Sequence, residues 1–108
     1  MSEAHALAEP EMEGLLSLHA RVPGHVVYRT FVNETVVLDL ETGRYQGVNV
    51  TGGRILDLLV TGRSVGGAAK ELAEEYSRPL GDVEQDVCRF CSDLLRRGLI
   101  EVGTNGDG

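Results

Sequence analysis

The sequence has no long apolar run, and this absence limits the kinds of protein that it encodes. No run is longer than those at residues 36–38 and 58–60, whereas a transmembrane helix needs about 20 consecutive apolar residues. The first residues also lack the basic start and the apolar stretch that form a secretory signal. We therefore expect a soluble, cytoplasmic protein with no membrane partner.

The chain is also short. Its 108 residues are about the length of one domain, and a chain of this size folds around one modest hydrophobic core. Multidomain enzymes are therefore excluded.

Positive charge is scarce and scattered. One Lys and nine Arg stand against 17 acidic residues, which gives a net charge of -7. Four of the acids lie in the first 13 residues, which hold no Lys or Arg. A protein that binds nucleic acid needs clustered cations to neutralise phosphates. The composition therefore predicts no nucleic-acid partner.

Cysteine is nearly absent, and its two occurrences form one short pattern, Cys88-Arg-Phe-Cys91. In a redox motif of this spacing the reactive thiol opens a helix, where the dipole lowers its pKa, but this pair lies inside a helical pattern. Two thiols also fall short of a four-ligand zinc site. We expect two reduced, buried side chains and no metal, with redox or metal chemistry as the alternative.

Residues for catalysis or for phosphate binding do not assemble in the sequence. The serines lack the strand-turn-helix context of a nucleophile elbow. Gly52 and Gly53 precede Arg54, without the Lys and the Ser or Thr of a phosphate-binding loop. We therefore expect no enzymatic activity and no cofactor.

The sequence does contain regular apolar patterns. Apolar residues alternate with polar ones in the first half of the chain and recur at helical spacing in the second half. The alternation predicts three strands, joined by hairpins, at residues 26–32, 35–40 and 45–48. Spacings of three and four then predict helices at residues 52–60, 65–76 and 81–97. Thr51 and Ser64 can cap the first two of these helices. The predicted fold class is α+β, with a three-stranded antiparallel sheet followed by a three-helix bundle.

A weaker helical pattern precedes this sheet, at residues 11–20. At the other end, residues 99–102 form an apolar segment that can pack back on the core.

The third predicted strand is an edge of the sheet, where backbone N–H and C=O groups are unpaired. An extended peptide can bind to such an edge through main-chain hydrogen bonds, with alternate side chains in pockets. The third helix can supply the other wall of a groove. From the residues alone this groove is a candidate site, since many exposed edges bind nothing.

Several stretches together resemble the PqqD-like family. They are an apolar strand with a Thr-Gly hairpin at residues 36–45, a helix start Val-Asn-Val-Thr-Gly-Gly at residues 48–53, and a pattern at residues 69–100 that ends in Gly-Leu-Ile. The sequence departs from the family at Val48, where Leu is usual, and at Leu56, where Trp is usual. The resemblance covers residues 25–102 and implies a peptide-recognition domain there. The residues on either side predict a partly disordered acidic extension at 1–24 and a disordered tail at 103–108.

Members of this family bind the leader segment of a ribosomally synthesised precursor peptide as a fourth strand. The resemblance therefore implies a winged-helix-like fold with a cleft between the third strand and the third helix. It also implies a second partner, the cysteine leader peptidase of a lasso-peptide pathway. The implied peptide-binding residues are Arg44, Tyr45, Gln46, Gly47 and Val48 on the strand, and Val83, Asp86, Val87, Phe90 and Leu94 on the helix. Asp86 is expected to accept a hydrogen bond from the leader.

A winged-helix DNA-binding regulator is the alternative function, because the order of elements overlaps. Its recognition helix would be the third predicted helix. That helix carries Asp82, Glu84, Asp86 and Asp93, which would face phosphates with the wrong sign of charge.

Overall fold

The computed structural model describes residues 9–104. The elements in that range are α1 (Glu9–Leu16), β1 (His19–Arg21), β2 (Val26–Thr30), β3 (Thr35–Asp39), β4 (Tyr45–Val48), α2 (Val50–Val60), α3 (Val65–Tyr76), α4 (Leu80–Arg96) and β5 (Glu101–Gly103). None of the helices in this range is long and apolar enough to cross a membrane. Disorder was expected in part of residues 1–24 and in residues 103–108. Of these, residues 1–8 and 105–108 lie outside the described range, whereas Gly103 is the last residue of β5 and pairs with His19.

The larger sheet is antiparallel and has the strand order β2-β3-β4. Val26 and Val37 lie on its inner face and belong to the buried core. Thr35 is fully buried beside them, and its hydroxyl shares a hydrogen bond of 3.0 Å with the hydroxyl of Thr30. The strands begin where alternation predicts them and end at most two residues earlier. The predicted α+β class, a three-stranded antiparallel sheet followed by helices, is confirmed.

The longest helix, α4, has the most regular apolar stripe. Val83, Val87, Cys91 and Leu94 recur every three or four residues and are buried in the core. The helix packs against α3 and α1. The helix ends at Arg96, and Gly98, two residues later, has a φ of 75°, in the left-handed region that glycine adopts without strain.

Of the two predicted helix caps, one is confirmed and the other is wrong. Ser64 caps α3 as predicted, since its hydroxyl accepts a hydrogen bond of 3.0 Å from Gly67 N–H. The prediction for Thr51 is wrong, because α2 begins at Val50 and its cap is Asn49. Asn49 Oδ1 accepts a hydrogen bond of 2.8 Å from Gly52 N–H. Because Asn is at least as good an N-cap residue as Thr, Asn49 can cap the helix, which therefore begins before Thr51.

The segment before the larger sheet packs onto the body of the fold. Leu15 and Leu16 of α1 lie against the buried core, and Leu18 C=O accepts a hydrogen bond of 2.8 Å from Val65 N–H. β1 pairs with β5 in a second, two-stranded antiparallel sheet. Residues 9–21, expected to belong to a separate extension, therefore contribute a helix and a strand to the fold. The apolar segment at Leu99 and Ile100 packs into the core as expected.

A substitution at Gly53 tests how closely α2 approaches the sheet. An ideal Cβ on Gly53 would overlap Thr35 Oγ1 and lie 3.1 Å from Thr35 Cβ. Since Thr35 is fully buried in the central strand, it has little room to move. We expect Gly53→Ala to lower the free energy of unfolding by about 2 kcal/mol, as measured by urea denaturation.

Gly81→Ala is the matched control, because an ideal Cβ on Gly81 has no atom within 4 Å and the residue is also helical. This variant should be as stable as the unaltered protein or slightly more stable. Equal urea midpoints for the Gly53 and Gly81 variants would contradict the close approach.

Candidate peptide-binding site

The outer edge of β4 is open. Asp39 N–H donates a hydrogen bond of 2.9 Å to Arg44 C=O, and β3 pairs Val37 with Gln46 and Thr35 with Val48. Because antiparallel strands alternate between bonded and non-bonded pairs, Tyr45 and Gly47 direct their N–H and C=O groups away from β3. No strand in the described range 9–104 pairs with this edge.

A cavity lies between the start of β4 and the C-terminal end of α4. Its volume is about 770 Å³, and its lining includes Arg44, Tyr45 and Gln46 from the strand side together with Arg97 and Leu99 from the segment that follows α4. The edge strand and the end of the helix therefore form the two sides of one groove.

The other end of β4 reaches the middle of α4. An ideal Cβ on Gly52 would lie 2.8 Å from Phe90 Cε1 and 3.2 Å from Val48 Cβ. Phe90 thus rests against the first turn of α2, next to the last residue of β4. Since Tyr45 is near Arg97 and Val48 is near Phe90, β4 and α4 run in opposite directions along the groove.

One side of α4 faces this groove. Asp86, Phe90, Asp93 and Arg97 recur at spacings of four, three and four, which places them along the same side of a helix. Phe90 is half-buried, whereas Asp86 and Arg97 are exposed. This side is therefore polar, with one aromatic ring at its centre.

The three aliphatic residues expected in the helix wall lie on the core side of α4. Val83, Val87 and Leu94 are 3%, 1% and 1% exposed, respectively. They hold α4 against the core and have almost no surface for a ligand. Phe90 and Asp86 are the expected helix residues that retain accessible surface.

Asp86 is already paired within the protein. Its carboxylate lies 3.1 Å from Arg78 Nη1 and 3.5 Å from Arg89 Nη2. Asp93 is likewise paired, with Arg96 and Arg97. A donor from a ligand would have to compete with two guanidinium groups for the carboxylate of Asp86.

The cavity also has lining residues that were not expected from the sequence, and these are Val37, Asp39, Thr42, Gly43, Arg97 and Leu99. A cation such as Arg97, directly after α4, also complements the helix dipole. Its position seven residues after Phe90 is the signal that would have put it on the same side of the helix.

The thiols are unsuited to redox chemistry. Cys88 and Cys91 are fully buried, and burial raises the pKa of Cys88 to about 11 and that of Cys91 to about 12. Both thiols are therefore protonated at neutral pH, and a nucleophilic cysteine needs the thiolate.

One group of side chains, His25, Asp39 and Glu41, has ligand atoms within 4.8 Å of one another. The local fold already accounts for one of them. Asp39 Oδ1 accepts hydrogen bonds of 2.9 Å from Glu41 N–H and 3.3 Å from Thr42 N–H, which shape the turn before β4. The hairpin therefore accounts for the position of the Asp39 carboxylate.

Comparison with known proteins identifies the family. Residues 34–100 match the family described as "Coenzyme PQQ synthesis protein D (PqqD)". The chain belongs to the PqqD family. No curated protein matches it.

Solved structures of PqqD-like proteins share the fold. The chain is 32% identical to TbiB1 in complex with the TbiA(beta) leader peptide, with a TM-score of 0.70 over 75% of this chain and 94% of that one. It is 25% identical to lasso peptide synthetase B1 complexed with the leader peptide, with a TM-score of 0.71 over 77% and 98%.

A third similar structure is the PqqD truncation of Methylobacterium extorquens PqqCD, described as a functional and stand-alone RiPP recognition element. It is 26% identical, with a TM-score of 0.65 over 76% of this chain and 87% of that one.

The raised thiol pKa values predict slow chemical labelling. Because two pKa units lower the thiolate fraction about 100-fold, we expect Ellman's reagent to react far more slowly with the native protein than with the urea-unfolded protein at the same pH. The native rate should rise as the pH is raised towards the pKa of Cys88.

A variant in α1 can test what shields the thiols. Cys88 Sγ lies 4.0 Å from Met12 C=O in α1, so Leu15→Ala should loosen this helix and accelerate labelling of Cys88. Equal labelling rates in the native and unfolded proteins would contradict the burial of the pair.

Proposed function

We propose that the protein binds the leader segment of a ribosomally synthesised precursor peptide and presents it to a leader peptidase, without catalysing a reaction itself. The observation that carries this proposal is the open edge of β4 beside the groove along α4. The leader would add a fourth strand to the β2-β3-β4 sheet through the free backbone groups of Tyr45 and Gly47.

The solved relatives support this proposal. Two of the structures similar to this chain, TbiB1 and lasso peptide synthetase B1, are complexes with leader peptides. The similarity extends over nearly the whole of both relatives, so it includes their counterparts of the sheet edge and the helix.

The alternation of a strand determines what each leader side chain would meet. Gln46 and Val48 point towards the helices, so inward leader side chains would lie against Phe90 and Arg97. Outward side chains would lie beside Tyr45. An inward apolar residue fits next to the ring of Phe90, while a polar or acidic residue fits near Arg97.

The expected site residues then divide into two roles. Residues 44–48 supply the pairing edge, and Phe90 and Asp86 supply the surface of the wall. Val83, Val87 and Leu94 contribute indirectly, because their burial sets the rotation of α4 and thereby aims Phe90 at the groove.

Presentation to a peptidase would follow from the tethering of the leader to this protein. A leader held by this protein brings its cleavage site near an enzyme bound to the same protein, and a short flexible link gives an effective concentration of about millimolar. The adaptor therefore needs a binding edge and a docking surface but no catalytic residues.

The first test removes one backbone hydrogen-bond donor from the open edge of β4. Gly47→Pro deletes an N–H that points away from β3, and edge strands tolerate proline at such positions. The loss of one main-chain hydrogen bond should weaken leader binding about tenfold. Titration calorimetry with the cognate leader peptide, or first with the TbiA(beta) leader, measures this change.

Gly47→Ala is the matched control, since it keeps the N–H group. Its Cβ would meet only the flexible carboxylate end of Glu34, at 3.0 Å, so its affinity should stay close to that of the unaltered protein. Unchanged affinity in Gly47→Pro, with native circular dichroism, would refute binding at this edge.

A second test displaces the ring of Phe90, which lies in the wall of the groove. In Gly52→Ala the new Cβ would lie 2.8 Å from Phe90 Cε1, so the ring must shift. Because inward leader residues are proposed to contact that ring, we expect a loss of affinity of about threefold to tenfold, measured by fluorescence anisotropy of a labelled leader. Val60→Ala, at an exposed position at the far end of α2, should bind as the unaltered protein does, and equal affinity of the two variants would contradict the role of Phe90.

A further inference from the structure

Three side chains of metal-ligating type meet at one end of the β2-β3-β4 sheet. His25 immediately precedes β2, Asp39 ends β3, and Glu41 lies in the turn that leads to β4. Their candidate ligand atoms, one imidazole nitrogen and two carboxylate oxygens, all lie within 4.8 Å of one another. The cluster therefore joins an imidazole to two carboxylates that come from the neighbouring strand and its turn.

Strand pairing explains why these three residues meet. Val26 pairs with Asp39, and Leu40 N–H donates a hydrogen bond of 2.7 Å to His25 C=O. His25 therefore lies across from Leu40, which stands between the two acidic residues in the sequence. Because the backbone of the sheet brings the residues together, their proximity does not depend on how long side chains happen to fold over the surface.

The turn after β3 orients the carboxylate of Asp39. Oδ1 accepts hydrogen bonds of 2.9 Å from Glu41 N–H and 3.3 Å from Thr42 N–H. Within the described range 9–104, the other oxygen, Oδ2, accepts no hydrogen bond. Carboxylates that bind metal ions are commonly held in this way, by hydrogen bonds that leave an oxygen for the ion.

The negative charge of the cluster is not neutralised by a neighbouring side chain. Among residues 9–104, neither Asp39 nor Glu41 forms an ion pair, and Arg44 of the same hairpin is paired with neither of them. Two carboxylates this close repel each other. A divalent cation between them would replace that repulsion by attraction.

The ligand types indicate which cation the cluster would bind. Imidazole suits zinc and other transition metals, whereas Mg²⁺ and Ca²⁺ take oxygen ligands. Zinc forms bonds of about 2.0–2.2 Å in a tetrahedron, which puts its ligand atoms about 3.4 Å apart, and water can fill a fourth position. The side chains would therefore have to approach one another by about 1 Å. Glu41 is exposed, so its side chain is free to make this movement.

We propose that His25, Asp39 and Glu41 form a binding site for a divalent transition-metal ion of the zinc type. The ion would link the start of β2 to the turn between β3 and β4. Because Asp39 also lines the cavity together with Arg44 and Tyr45, the ion would lie beside the groove. The inference does not depend on the proposed function, since it needs only these three side chains.

Isothermal titration calorimetry with zinc chloride measures the site directly. The untagged, full-length protein should bind Zn²⁺ at one site, and Mg²⁺ should not bind detectably under the same conditions. His25→Gln and Glu41→Gln each remove one ligand. Both should weaken zinc binding about tenfold or more, because even residues that only orient a ligand contribute about 10- to 100-fold.

Glu74→Gln is the matched control, because Glu74 is an exposed acid on α3, outside the cluster. This variant should bind zinc as the unaltered protein does. Glu41 is equally exposed, so Glu41→Gln should keep the native circular dichroism, and its loss of zinc binding would not arise from unfolding.

Nuclear magnetic resonance locates the bound ion. During a zinc titration the backbone amide signals of His25 and of residues 39–42 should shift, whereas those of Cys88 and Cys91 should not, because both thiols are buried. No zinc binding by the unaltered protein would overturn the proposal, as would equal zinc affinities of Glu41→Gln and Glu74→Gln. Signal changes confined to other residues would show an adventitious ion only and would overturn it as well. Neither experiment uses a leader peptide, so the proposed function stands or fails separately.

Discussion

The groove depends on the close approach of the first turn of α2 to its neighbours. Gly52 lies against Phe90 of α4 and Val48 of β4, while Gly53 lies against Thr35 of β3. Any side chain at either position would push the helix away from the sheet or from α4. Because α2 directly follows β4 in the chain, these two contacts determine how far the edge strand stands from the helix wall. Asn49 fixes the direction of this turn by capping it.

Much of the fold could be predicted because its signals are local. Alternation located the three strands of the larger sheet, and spacings of three and four located α2, α3 and α4. The pairing of β1 with β5 could not be predicted in this way. It joins His19 to Gly103 through strands of only three residues each, which are too short to show a period. The burial of the N-terminal segment depends on that pairing and on α1.

The candidate site was predictable as a region but not residue by residue. Strand alternation separates Gln46 from Tyr45, and the backbone pattern then assigns the free edge. On α4, Val87, Phe90 and Leu94 are all apolar, so the spacing alone does not tell the core side from the groove side. That distinction arises from contacts between distant elements, such as Phe90 with Gly52. Arg97 enters the site for the same reason, because the end of α4 meets the start of β4 only in the folded chain.

The N-terminal helix, α1, covers one flank of α4 and so determines which flank remains accessible to a ligand. α1 covers the flank that carries Cys88, and α3 packs along the core side. On the remaining flank, Phe90 lies beside Gly52 and the end of β4, and Arg97 lines the cavity beside the start of β4. Among the described residues 9–104, covering two sides of the helix leaves a side accessible next to the open outer edge of β4. In the proposed complex, strand pairing, the ring of Phe90 and the charge of Arg97 would all act on the same peptide segment and so define its orientation.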